Sequence, residues 1–351
     1  MHSLTPEFIE NLRFRASQLA QLRALGEHQG KHKLYVAQSP EILCGLRKVA
    51  VVESTESSNR LEGIIVDHRR LKSIVLKNAT PQNRSEQEVA GYKDALSLIH
   101  ENAEEMPFND GTLLQLHSMM YRYMSQDGGK WKSTNNDIVE RHSDGTTRIR
   151  FRPVAAHLTP IAMSDLTINY RNACDQLQLD PLVLVPLAVL DFLCVHPFPD
   201  GNGRVARLAT LQLLYHFGHA VGRYISLERI FEESKESYYA TLELSSQGWH
   251  EGQHDVMPWL DYFWGTLRRA YKEFEARVDT IERTHGTKAD QVRAEISKRT
   301  VSFTITHIEE ACPGISRDTV RLVLRAMREE GLIATEGRGR GTQWVPRVGS
   351  A

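Results

Sequence analysis

Residues 196–207 read HPFPDGNGRVAR. They follow an apolar run of helical length, PLVLVPLAVLDFLCV at 181–195, and lead into a second one, RVARLATLQLL, at 204–214. Two buried helices joined across this loop form the centre of a mainly α fold. The loop itself has two readings. It is either a simple connection between helices or an anion cradle that carries its own base.

The residue types favour the cradle. Gly201 and Gly203 open backbone conformations closed to other residues and let a ligand approach the main chain. A helix starting after them points unsatisfied amides and the positive end of its dipole back into the loop, a ready anion site. Arg204 and Arg207 stand three apart, on one face of the first turn, where two guanidinium forks can hold two phosphates. Asp200 beside an anion site makes sense as a ligand to a divalent cation bridging phosphates. His196 at the other lip is suited to take a proton from an attacking hydroxyl. Each feature alone is ordinary: a turn, or a solvated face. Their order in one twelve-residue string is not. A P-loop is excluded, because Gly129-Lys130 has Met124 where the first glycine of GxxxxGK[ST] belongs.

The string matches HxFx[D/E]GNGRxxR throughout, and by it the chain resembles the Fic (filamentation induced by cAMP) family. The similarity runs from about Ser39 to Val278. The resemblance implies a mostly helical core and transfer of a nucleotide, most often AMP from ATP, to a protein Ser, Thr or Tyr hydroxyl. It implies His196 as base and Asp200 as ligand to Mg²⁺ between the α- and β-phosphates. It places the phosphates on Asn202, the Gly201 and Gly203 amides and Arg204, with Arg207 at the γ-phosphate and Phe198 packed under the loop. In-line attack at phosphorus needs such positioning and charge neutralisation more than covalent help.

Three further segments extend the resemblance. Two β-favouring runs, Ile138 to Glu140 and Thr146 to Phe151, flank HSDG and predict a hairpin. It resembles the family's flap, with Ile138, Val139, Ile149 and Phe151 along an edge that docks the target backbone. Tyr238 and Tyr239 fall where family members line the nucleobase pocket; core packing is the alternative. SSNRLEG, with Ser58, Glu62 and Gly63, matches the inhibitory pattern [S/T]xxxE[G/N] on a helix at about 40–63. A glutamate on Arg207 would take the charge meant for the γ-phosphate. Ser58 lies one turn before it.

Elsewhere the patterning is helical. Phe8, Leu12, Ala16, Leu19 and Leu22 predict one apolar face across the first 35 residues, and further helices are expected at 85–102, 110–124, 163–177, 234–247 and 256–278. ERTHGTKAD at 282–290 reads as a boundary, giving an N-terminal helical region at 1–100, a core at 101–280 and a small α+β domain at 281–351. The last has the order helix, turn, helix, two strands of a winged helix-turn-helix. Residues 281–351 hold 12 Lys and Arg against 9 Asp and Glu. Arg317, Arg321, Arg325 and Arg328 form a stripe, with Arg338 and Arg340 at the wing tip, which suits duplex DNA or, alternatively, protein docking.

Composition sets outer bounds. Of the 351 residues, 41% are hydrophobic and 25% charged, with a net charge of −1, so any attraction to nucleic acid must be local. The apolar run at 181–195 is too short for a membrane span and contains Asp191. The N-terminus has no apolar signal core, and Cys44, Cys174, Cys194 and Cys312 form no CxxC pair, so a cytoplasmic setting is expected. The main expectation is therefore an autoinhibited protein adenylyltransferase acting on target proteins and on itself. The alternatives are a DNA-binding regulator with a nucleotide-sensing core, and de-adenylylation or another nucleotidyl transfer on the same fold. A homo-oligomer is left open.

Overall fold

The computed structural model describes residues 3–38, 40–141, 146–175, 179–285, 288–299, 301–336 and 343–346. Its elements are, in order, α1 (Pro6–Glu10), α2 (Ala16–Gln38), α3 (Pro40–Leu61), α4 (His68–Lys77), α5 (Arg84–Asn102) and α6 (Asp110–Met120). The hairpin β1 (Ile138–Arg141) and β2 (Thr147–Phe151) follows, then α7 (Thr159–Asp175), α8 (Pro181–Val195), α9 (Asn202–His216), α10 (Leu227–Glu233), α11 (Lys235–Ser246) and α12 (Met257–His285). The chain continues through α13 (Lys288–Ser297), α14 (Ile305–Ala311) and α15 (Arg317–Glu329) to β3 (Ile333–Glu336) and β4 (Gln343–Pro346). The fold is mainly helical, as expected. Two compact units divide it at Met1–Glu275 and Ala276–Ala351. No helix among the described residues is long and apolar enough to cross a membrane.

In the first unit α8 is the central rod. Thirteen of its residues, from Leu182 to Val195, are buried, and α7, α9 and α11 pack around it. Asp180 caps its start through the Leu182 amide, with Pro181 at the first helical position. Asn83 and Asn109 cap α5 and α6 in the same way. α3 is held differently. Beside Leu46, Ala50, Val52 and Leu61 it buries a run of polar residues, with Ser54, Thr55, Ser57, Ser58 and Asn59 almost wholly enclosed. Ser54 Oγ donates to Glu228 Oε2 (2.7 Å), and Tyr92 Oη donates to Glu228 Oε1 (3.0 Å). Buried polar groups are tolerated only when bonded in this way.

The single apolar face expected over the first 35 residues is not what forms. α1 ends at Glu10 and α2 restarts at Ala16, with Leu19 exposed and Gln18, Leu25 and His32 buried instead. The contact with α12 is mixed: Gln18 bonds Asp261 (2.9 Å) and His28 meets Glu275 (2.8 Å), while the His32 ring packs on Tyr271 and Phe274. Hydrophobic spacing therefore reported the wrong stripe. α4 and α10 were not anticipated.

His32, His117 and His219 are buried, and burial lowers each imidazole to about 4. The unfolded chain binds these protons near 6.5, so the stability they hold is complete above that pH and drains as pH falls towards 4. Buried Asp191, raised to about 6 by desolvation, offsets one proton below pH 6. His196, also near 4, and His100, near 3, add to the same side, so the histidines outnumber the one opposing carboxyl and stability falls steeply below pH 6. Calorimetry is expected to show the melting temperature falling steeply from pH 6 to pH 5; a flat profile would contradict the buried neutral histidines.

The second unit closes on its own core of Val292, Ile296, Phe303, Ile308, Val320, Val323, Leu324, Met327 and Ile333. Gly314 (φ 92°) turns the chain between α14 and α15. β3 and β4 pair antiparallel with Ile333 opposite Pro346, and Phe303 bridges to Trp344 on the far edge. Val320, Val323, Leu324 and Met327 of α15 are buried, while Leu322 and the arginines Arg317, Arg321, Arg325 and Arg328 are exposed. Arg317 pairs with Glu309 and Arg321 with Asp318, which tempers the stripe. Arg338 and Arg340 lie outside the described residues, as does HSDG at 142–145.

Candidate functional site

His196 closes α8 in the left-handed conformation (φ 50°), its amide donating to Phe192 O at 2.9 Å. Its Nδ1 lies 3.3 Å from Leu193 O. A carbonyl only accepts, so Nδ1 carries the proton and Nε2 keeps its lone pair. Burial, followed by the positive charge of Lys132, lowers the imidazole to about 4. His196 is neutral at physiological pH, the state a general base needs.

The loop after it is pinned from outside. His117 accepts from the Gly129 amide at Nδ1 (2.8 Å), which leaves Nε2–H to donate to Asp200 O (3.1 Å). Its ring stacks on the buried Phe198, centroids 3.9 Å apart. Tyr121 Oη donates to Asp200 Oδ2 (3.1 Å), and Asn136 Nδ2 donates to Phe198 O (2.9 Å). None of these residues was anticipated. Their bonds go to the Asp200 and Phe198 carbonyls and the Asp200 carboxylate, more than sixty positions away, and no local spacing announces them. Phe198 does lie under the loop, as expected.

α9 begins at Asn202, two residues earlier than RVARLATLQLL suggested, with Gly201 in the left-handed region (φ 79°) as its cap. Asn202 faces inward. Its Oδ1 accepts from the Phe198 amide and its Nδ2 donates to Phe198 O, both at 2.8 Å. It therefore holds the loop closed on itself and presents no free amide to a phosphate. Arg204 is likewise turned away from the cavity described below. Only 2% exposed, it donates to Glu88 Oε2 at 2.8 Å and to Asn59 Oδ1 at 3.4 Å. Three residues along a helix is 300°, so Arg204 and Arg207 diverge enough to meet different neighbours. Glu88→Ala strands that guanidinium and is expected to cost about 3–5 kcal/mol in urea unfolding. The double change Glu88→Met with Arg204→Met should recover most of the loss; no recovery would mean the pair is not the cause.

Arg207, also 2% exposed, points the other way, into the grip of α3. Its Nε donates to Ser58 Oγ (2.8 Å) and its Nη2 to Ser58 O (2.9 Å) and Glu62 Oε1 (2.7 Å). Burial is the largest influence and opposes the arginine's charge, but the Glu62 carboxylate together with Tyr238, Tyr92 and Tyr239 outweighs it and the pKa is raised. α3 stops at Leu61, and Gly63 (φ 80°) turns the chain, its amide bonding to Arg60 O and that of Ile64 to Asn59 O. That stop aims Glu62 across the start of α9. A methyl group on Gly203 would collide with Glu62 Oε1 and come within 3.1 Å of Arg207 Nη1. The carboxylate thus lies against the first turn of α9, beside Gly203 and Arg207.

These groups share a cavity of about 370 Å³, walled by Glu62, His196, Gly203 and Arg207. That size suits a small-molecule ligand. Ile138, Val139 and Phe151 of the hairpin and Tyr238 and Tyr239 of α11 complete it; Gly201, Asn202 and Arg204 do not line it. Tyr238 is buried against Phe231 and Trp259, whereas Tyr239 is half-buried with the Arg150 guanidinium 5.6 Å from its ring centre. The hairpin has a bulge between Ile138 and Val139, and Val139 pairs with Ile149; both are nearly half exposed. β2 is tied to α11 by Arg148 (2.7 Å) and Arg150 (3.3 Å), both on Glu243.

Asp200 is the loop's exposed acid, its side chain 68% accessible, with Arg204 only loosely paired at 3.8 Å. Its Oδ1 accepts from the Gly201 amide. Among the described residues no group of three or more His, Cys, Asp or Glu side chains is placed to hold a metal. A lone accessible carboxylate fits Mg²⁺, which keeps several waters and takes one carboxylate together with substrate phosphates.

Residues 107–214 match the Fic/DOC family model. The protein adenylyltransferase fic-1 of Caenorhabditis elegans is 25% identical over 228 residues, which are 62% of this chain and 40% of that protein. Its Caenorhabditis briggsae counterpart is 27% identical over 187 residues, 51% of this chain and 32% of that one. The chain thus spans less than half the length of either relative. The crystal structure of a Fic family protein from Desulfovibrio desulfuricans G20 superposes with a TM-score of 0.62 at 20% identity, covering 97% of this chain and 98% of that one. A Fic-domain signalling protein from Bacteroides thetaiotaomicron gives 0.61 at 22% identity, covering 74% of this chain and 97% of the other. Residues 107–214 therefore resemble the Fic/DOC family, and the chain is similar in sequence to adenylyltransferases and in fold to those structures.

Proposed function

We propose that the protein is an adenylyltransferase that moves AMP from ATP to a Ser, Thr or Tyr hydroxyl of a target protein and of itself, and that Glu62 restrains it. One observation carries the reading: a neutral His196 with its Nε2 free and an Arg207–Glu62 pair wall the same cavity. His196 Nε2 takes the hydroxyl proton, the oxygen bonds to the α-phosphorus, and the bond to the leaving pyrophosphate breaks. The first amides of α9 face the negative charge that builds there. Arg207 is the cation for the terminal phosphate once Glu62 withdraws. Mg²⁺ held by Asp200 and the phosphates would neutralise phosphate charge. Asn202 and Arg204 serve by holding the loop and α9 in place. The hairpin's free edge would dock the target strand.

Glu62 and His196 in one cavity also support removal of the modification by hydrolysis, in which the carboxylate orients a water that releases AMP and the free hydroxyl. Intact-mass spectrometry after incubation with ATP and Mg²⁺ separates the readings. Gain of an adenylyl group by the Glu62→Gly protein supports transfer; no mass gain with any nucleotide overturns it. Ala276–Ala351 we read as a winged helix-turn-helix, on the order α13, α14, the Gly314 turn, α15, β3, β4.

A further inference from the structure

Lys132 lies 64 positions before the base, yet it is almost wholly buried against it. Its Nζ donates to Val195 O (3.1 Å) and to Asn136 Oδ1 (2.9 Å), and its amide donates to Pro197 O (2.8 Å). The carbonyls it grips are those on either side of His196. That residue has a left-handed backbone, which costs a side-chain-bearing residue about 1 kcal/mol or more and persists only where the surroundings impose it.

His196 is also the C-cap of α8. A histidine at a helix C-terminus ordinarily gains a proton more easily, because the dipole's negative end favours imidazolium. Glu62 and Asp200 push the same way. Against them stand burial and Lys132, while Arg207, Arg150 and Glu243 wall the remainder of the cavity. The ammonium sits on the last carbonyl of α8, where it offsets the dipole most directly. Burial brings Lys132 itself down to about 8, so it carries its charge through neutrality.

We propose that Lys132 is a positioning residue for the base: its ammonium and amide clasp the Val195 and Pro197 carbonyls, fixing the backbone of His196, and its charge holds the imidazole in the unprotonated form. The inference deepens the adenylyl-transfer reading and rests on it for its kinetic consequence, though not for its physical one.

The test is an NMR titration of the His196 ring in the full chain, which needs no turnover. Wild type is expected to titrate well below 6. Lys132→Met should raise that value by about one unit or more, since a neighbouring charge is worth that much. Lys132→Arg, which keeps charge and donors, should leave it low. Lys132→Gln keeps a donor without the charge and decides the electrostatic part if the methionine variant does not fold. Wild-type titration at 6.5 or above, or equal values in wild type and Lys132→Gln, overturns the proposal. In the Glu62→Gly background, Lys132→Met should lower the transfer rate at neutral pH, through the loosened backbone of His196, and move the acid limb of the rate profile upward by about one unit, with arginine restoring both. If Glu62→Gly transfers nothing, the adenylyl-transfer reading fails while the titration still judges Lys132.

Discussion

His196→Ala, placed in a Glu62→Gly background, is expected to lower adenylyl incorporation by about 10²–10⁴-fold, the usual worth of a positioned general base. The geometry leaves the role to one atom. Nδ1 is committed to Leu193 O, so only Nε2 can accept a proton, and it does so inside the cavity shared with Arg207. The pH dependence follows with its sign fixed. A base must be unprotonated, and the free imidazole lies near 4, so the acid limb of kcat/KM falls as pH drops through about 4. A triphosphate in the cavity adds negative charge beside the ring and raises its pKa, so the limb in kcat lies higher. The change should leave the melting temperature nearly unaltered, because His196 is half-buried at a loop and its side chain anchors little. Radiolabelled ATP in single-turnover assays measures the loss. A decrease of less than about threefold would remove His196 from the chemistry.

What was legible in the sequence is what is local. His196, Asp200 and Arg207 are read from twelve consecutive residues, and Ser58, Glu62 and Gly63 from six more; the structure brings His196, Glu62 and Arg207 to one cavity. The hairpin was legible from alternation and its turn, to within one residue at β1 and β2. What escaped is what depends on a distant partner. Arg204 looked like a second phosphate clamp until Glu88 on α5 claimed it. Asn202 looked like a ligand group, yet the tightness of the turn makes it the loop's own cross-brace. Lys132, His117 and Asn136 carry no signature, because each acts on main-chain carbonyls, which any sequence supplies, and Tyr121 reaches the Asp200 carboxylate from 79 positions away. The misread face of α2 has the same origin. Its neighbours on α12 include Asp261 and Glu275 as well as Tyr271 and Phe274, and Gln18, His28 and His32 meet them, so the buried stripe is not marked by aliphatic residues alone.

Glu62→Gly is expected to raise self-adenylylation by about 10–100-fold while lowering stability, and both effects arise from one contact. Arg207 is buried and charged, so it must have an anion; Glu62 supplies it at 2.7 Å, with Ser58 adding two neutral acceptors. The pair is not worth its full buried value, because the glutamate side chain is 31% exposed and solvent screens it. A net preference of about 1–3 kcal/mol for the occupied state holds the competent fraction down roughly 10–100-fold, which sets the expected gain. Removing the carboxylate strands the guanidinium, so the variant should melt earlier than wild type without nucleotide. ATP then supplies the missing anion, and its stabilising shift should be larger in Glu62→Gly than in wild type, where it must first displace the glutamate. Glu62→Gln, which keeps an acceptor but no charge, should fall between the two in both rate and melting. Equal rates and equal ATP-induced shifts in wild type and Glu62→Gly would mean that the glutamate merely caps a helix end. A larger shift with an unchanged rate would place the restraint elsewhere, with Arg207 binding phosphate but not limiting turnover.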